Sequence, residues 1–88
     1  MMDSYEEAKE LIKKVIDGIE TEVDISLMVA PSSALSILRG FGATEIDLMN
    51  TNGWQWDFWI ELEYNKEKYT LSGSGFYGEM IFKKKRDI

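Results

Sequence analysis

The side chains of this chain that could do chemistry are carboxylates. It carries 16 Asp and Glu but no histidine and no cysteine. That composition excludes imidazole and thiolate zinc sites, Ser-His-Asp chemistry and Cys-His chemistry. It also excludes disulfides. Glu45, Asp47, Asp57, Glu61 and Glu63 stand at odd positions of two alternating segments, "ATEIDLMN" and "WQWDFWIELEY". A paired-carboxylate hydrolase needs an acid and a base or nucleophile facing each other across a cleft. Asp47 and Asp57 are the pair that strand alignment could bring together. A divalent cation would need oxygen ligands that wrap it, whereas carboxylates along a strand project in parallel, and no D-x-D-x-D-G spacing occurs. No metal or cofactor is therefore expected.

Two other motifs carry weaker chemistry. "GSGFYG" places Gly73, Gly75 and Gly78 in a G-x-G-x-x-G spacing. Its dinucleotide form must open a helix after a strand. Here "EMIFKKKRDI" follows, so a bend that makes room for the Trp56 and Trp59 rings is the better reading. Phe76 and Tyr77 at that bend could extend a contact surface. "KKKR" at Lys83–Arg86 could meet phosphate, but lysines there also suit the protection of an edge strand. The net charge of −6 disfavours nucleic acid and anionic lipid as partners. The charge is unevenly spread: residues 1–63 hold thirteen acids and four bases, residues 64–88 three acids and six bases.

Eighty-eight residues predict one domain with one modest core. The N-terminus "MMDSYEEAKE" is polar, and no apolar run reaches the roughly 18 residues of a membrane span, so a soluble cytoplasmic protein is expected. "SYEEAKELIKKVIDGI" predicts a helix over 4–17, with Ala8, Leu11, Ile12, Val15, Ile16 and Ile19 as its apolar stripe. Ser4 and Glu7 would form its capping box, and Gly18 its stop. "TEVDISLMV" alternates and reads as a strand over 22–29, with a short helix as the rival reading. "PSSALSILRGFG" reads as a second helix from Pro31 or Ser32 to Gly40.

The rest reads as an antiparallel meander: a strand at 43–50, one at Trp54–Tyr64, one at Glu67–Ser72 and one near Glu79–Lys84. A two-residue turn at Asn65-Lys66 pairs Glu63 with Lys68, Leu62 with Tyr69, Ile60 with Leu71 and Trp59 with Ser72. Apolar then meets apolar, and opposite charges meet. A three-residue loop at Thr51-Asn52-Gly53, with Gly53 in a bulge, pairs Leu48 with Trp56, Ile46 with Phe58, Asp47 with Asp57 and Glu45 with Trp59. The expected fold is α+β: an antiparallel sheet of four to five strands with two helices packed on one face. Its core would draw on Leu11, Ile12, Val15, Leu35, Leu38, Ile46, Leu48, Trp56, Phe58, Ile60, Leu62, Leu71, Met80 and Phe82.

This pairing leaves Trp59 standing among Glu45, Asp47, Asp57 and Glu61 on the other side of the sheet. Tryptophan is enriched at interface anchors, and a bed of acids favours a basic partner. The sequence therefore predicts a non-enzymatic protein-binding module. Its contact residues would be Trp59, Asp57, Asp47, Glu45, Glu61, Phe76 and Tyr77. In size and charge it parallels the small inhibitors encoded by phages and mobile elements, some of which block nucleic-acid-binding defence enzymes. A homo-oligomeric structural domain is the alternative, and a carboxylate hydrolase ranks below both. Monomer and homodimer both remain open.

Overall fold

The structure is a computed structural model. It describes residues 3–49, 57–74 and 78–85, with side chains described for all of these except residues 45–49 and 57. Helix α1 (Ser4–Ile16) and helix α2 (Pro31–Phe41) accompany five strands: β1 (Glu22–Asp24), β2 (Thr44–Met49), β3 (Asp57–Tyr64), β4 (Glu67–Ser74) and β5 (Glu79–Lys84). The strands form one antiparallel sheet in the order β1-β5-β4-β3-β2. The α+β class expected from the sequence is the class observed.

Local chemistry sets most element ends. The cap of α1 is Asp3 rather than Ser4: its carboxylate accepts from the Glu6 amide at 2.8 Å. A side-chain acceptor here satisfies an amide that the helix itself leaves unpaired, and an acid also suits the helix dipole better than a hydroxyl. Gly18, at φ 81°, lets the chain leave α1. Pro31 opens α2. That helix runs through Gly40 and closes at Gly42, where φ is 102°. The closing glycine is the one whose left-handed backbone releases the chain, since a mid-helix glycine is merely tolerated.

Strand β1 is shorter than its alternation suggests. The pattern carries Val23 and Ile25 into the core, but Asp24 then accepts from the Ser26 amide at 2.9 Å. This local turn competes with the ladder. Hydrogen bonds from Ser26, first its hydroxyl and then its amide, hold the Asp24 carboxyl below its ordinary range. Leu27 follows at φ 63° and lies 83% exposed instead of continuing the inward row. The strand reading of 22–29 holds for Glu22–Asp24 and stops there, and the helical rival does not form.

The β3–β4 hairpin has the expected register at every position. Asp57 pairs with Ser74, Trp59 with Ser72, Ile60 with Leu71, Leu62 with Tyr69 and Glu63 with Lys68. Asn65 and Lys66 both take positive φ, 51° and 67°, the mirror-image turn that suits strand twist. Strand β4 extends two residues past Ser72.

The β2–β3 register differs from the expected one. Leu48 pairs with Ile60 instead of Trp56, Asp47 with Glu61 instead of Asp57, and Glu45 with Leu62 instead of Trp59. A bulge lies between Glu45 and Asp47, and Met49 is the residue opposite Trp59. From Asp47 onward the slip is four positions, an even number, so the alternation of β3 cannot tell the two registers apart. The expected Thr51–Gly53 loop, Trp54 and Trp56 lie outside the described residues.

Register alone divides the sheet into two faces. Val23, Phe82, Leu71 and Ile60 form one cross-strand row, and Met80, Gly73 and Phe58 form the next. All but Gly73 are buried, in one core with Ala8, Ile12 and Val15 of α1 and Ala34, Leu35, Ile37 and Leu38 of α2. Leu11 packs only partly into this core. Helix α1 packs on β5, β1 and α2. The Tyr69 ring stacks on Phe82 at 5.4 Å, and burial raises its phenol above the ordinary value. Gly73 serves this inner face: a Cβ there would strike the Glu79 carbonyl and lie 2.9 Å from the Met80 Cα. It makes room for the β5 backbone rather than for the Trp59 ring.

The hairpin turn supplies a test. Lys66 holds a left-handed conformation that a β-carbon disfavours by about 1 kcal/mol. Lys66→Gly should therefore raise stability by up to about 1 kcal/mol in urea unfolding; a loss of stability would contradict the turn geometry.

Candidate functional site

The face turned away from the core is built from the alternate residues of the same strands. One row runs Met49, Trp59, Ser72, Ile81 and Asp24; the next runs Asp47, Glu61, Thr70, Lys83 and Glu22. A third sets Glu63 beside Lys68, and the Lys85 amide donates to the Lys68 carbonyl at 2.8 Å, which continues that row. Sheet parity thus delivers one indole, several carboxylates and several ammonium groups to a single surface.

Trp59 is 45% exposed. Its register neighbour Ser72 is small. A groove of about 510 Å³ opens beside the indole, with Lys83, Lys84 and Lys85 lining it as well and Thr70 and Ser72 among its other residues. The hydroxyl-bearing Thr70 is buried between its neighbours in the row. The groove joins an apolar plate to polar and cationic groups, an arrangement suited to holding a flat or aromatic side chain.

The electrostatics differ from an unbroken bed of acids. Lys85 Nζ lies 2.6 Å from Glu61 Oε1, which neutralises the carboxylate two residues from Trp59. Lys84 reaches Glu67 at 3.2 Å. Lys83 stands exposed with no ion pair among the described residues. The "KKKR" segment is therefore partly a component of this surface. Its strand β5 is not an edge strand, because it lies between β1 and β4, so edge protection does not explain Lys83 and Lys84. The charge is mixed: Glu61 and Glu63 lie on the β3 side of central β4 and Lys83 and Lys85 on the β5 side, where Glu79, Glu22 and Asp24 also lie.

The structure brings together Trp59 and Glu61 from the expected contact residues, with Ser72 opposite Trp59 as expected, and it adds Lys83, Lys85 and Thr70, which the sequence reading did not assign to this surface. Their signal was present in the odd-numbered parity of "EMIFKKKRDI", once that strand is set beside "EKYTLSGS". Glu45 pairs with the inward-row residue Leu62, which takes it out of the Trp59 row. Asp57 and Asp47 lie on β3 and β2 but not opposite one another. The juxtaposition required for paired-carboxylate chemistry is therefore not made by the register. Among the described residues no group of three acids could hold a metal. Phe76 and Tyr77 lie outside the described residues. No described helix is long and apolar enough to cross a membrane.

Neighbouring positions on β3 should respond very unequally to truncation. Phe58→Ala removes a buried ring and should lower stability by about 3–5 kcal/mol. Trp59→Ala removes a half-exposed one and should cost about 1 kcal/mol or less. Equal losses in thermal unfolding would show that the indole is part of the core. Comparison with family models, curated proteins and solved structures finds no match to this chain.

Proposed function

We propose that the chain is a small, non-enzymatic protein-binding module that docks on a basic protein surface through the open face of its sheet. The observation that carries this reading is Trp59, a large apolar side chain left 45% exposed on a face where its alternate neighbours are polar or charged. Folding does not need an indole there, since the buried row beneath it already closes the core. An anchor of this kind, ringed by polar groups, is the usual architecture of an interface hot spot. Glu63 lies farther along β3, while Glu61 is already paired with Lys85, and the net charge of −6 adds a long-range attraction for a cationic surface.

The mechanism would be occlusion. A rigid sheet face seated over a site that normally receives phosphate backbone would block that site by bulk and by charge of the same sign. Inhibition of a nucleic-acid-binding enzyme, as small acidic proteins of phages and mobile elements perform it, is the use this mechanism suits best.

The test is capture of a partner from host lysate on immobilised wild type and Trp59→Ala, side by side. A basic protein should be retained by wild type at low salt and released by about 1 M salt, where the Debye length shrinks to about 3 Å. It should bind Trp59→Ala at least about tenfold more weakly. A partner that ignores both the salt and the indole would overturn the assignment of this face.

A further inference from the structure

We infer that the groove beside Trp59 is a binding site for a neutral carbohydrate, a disaccharide or a longer chain, held flat on the indole. The inference goes beyond the docking of a basic protein and does not rest on it; the two ligands would compete for Trp59.

The starting point is Thr70. This threonine is only 6% exposed, and sheet parity turns it outward between Glu61 and Lys83. Its hydroxyl has no hydrogen-bond partner among the described residues. No enclosed side-chain oxygen among them is left unpaired, so this one opens into the groove that Thr70 lines. A deeply set hydroxyl without a partner is costly. Water meets that need in the free protein, and a ligand hydroxyl can take the place of the water. Ser72, the next outward residue on β4, adds a second hydroxyl to the groove.

Charge selects the ligand. Each lysine in the wall has a carboxylate beside it. Lys83 stands opposite Glu22 in the ladder, Lys84 reaches Glu67 at 3.2 Å, and Lys85 reaches Glu61 at 2.6 Å. An anion drawn to Lys83 would also meet Glu22, on a chain of net charge −6, and a cation would meet Lys83 itself. A plain aromatic ring would cover the indole but leave the hydroxyls without partners. A sugar answers every part of the groove. Its C–H face is apolar and lies flat on an indole. Its hydroxyls both donate and accept. They can accept from the Lys83 ammonium, donate to the Glu22 carboxylate, and do either with Thr70 and Ser72. Hydrogen bonds to the charged groups are the stronger kind.

Size agrees. The groove measures about 510 Å³, inside the range of about 300–1,000 Å³ for small-molecule sites. Lys83 lies two strands from Trp59, a separation of roughly 10 Å at ordinary strand spacing. One ring over the indole leaves a second ring to reach Lys83 and Glu22, which is why a disaccharide is the smallest complete ligand. With a single aromatic plate the affinity should be millimolar.

The experiment is a titration followed by the amide and indole N–H resonances in heteronuclear NMR, on wild type, Trp59→Ala and Thr70→Val. The probes are cellobiose, maltose and lactose, each to about 50 mM, and inorganic phosphate. The same spectra report that each variant is folded, and valine keeps the branched shape of Thr70. At least one disaccharide should shift the Trp59 indole and the Thr70 and Lys83 amides of wild type saturably. Thr70→Val should bind that sugar at least about threefold more weakly, and Trp59→Ala at least about tenfold. No saturable shift with any of the three sugars would overturn the inference, as would an affinity unchanged in either variant. Phosphate that moves the same resonances and displaces the sugar would mark an anion site and also overturn it. A wild type that ignores all three sugars, while its lysate partner is still lost with Trp59→Ala, would overturn the carbohydrate site alone and leave the docking face standing.

Discussion

One buried row holds this molecule together: Val23, Phe82, Leu71 and Ile60, side by side across four strands, with Leu48 in register at the fifth. Phe82, Leu71 and Ile60 are fully buried, and each contributes about 1.5–3 kcal/mol by leaving water. A chain of 88 residues has only one core to draw on. Both helices therefore commit their apolar stripes to this same core, and neither described helix contributes to the opposite rows of the sheet.

Everything proposed about function follows from that division. Strand parity is strict, so fixing Phe58, Ile60 and Leu62 inward fixes Trp59, Glu61 and Glu63 outward. The same holds for Met80 and Phe82 against Ile81 and Lys83. Most outward residues are polar enough to tolerate water; Trp59, Ile81 and, by register, Met49 are the apolar positions of that face. The neighbours of Trp59 are of both signs: Glu61 and Glu63 on β3, Lys83 and Lys85 in the matching rows beyond β4, with Glu61 and Lys85 already paired.

The sequence was legible where pairing is local. The β3–β4 register follows from a two-residue turn and a run of complementary partners, and no alternative satisfies both. The β2–β3 register was not legible, because the Asn52-Gly53 signal suggested a tight loop and hydrophobic alternation rejects only odd slips. The bulge between Glu45 and Asp47 adds a change of parity that no residue type announces. Strand β1 was half legible: Val23 and Ile25 follow the pattern, and the Asp24–Ser26 turn ends it at a point where Leu27 and Val29 still keep the alternation. Its partner, β5, lies almost sixty residues away, and local pattern carries no information about so distant a pairing. The same blindness hid Lys83 and Lys85 from the Trp59 surface.

The most direct test of the central division is the set of nuclear Overhauser contacts from the Trp59 ring. The account predicts contacts to Ser72 and Ile81 across the open face, and none to Ala8, Ile12, Leu35 or Leu38 of the helices. Contacts from that ring to the helix side chains would place the indole in the core and contradict the account.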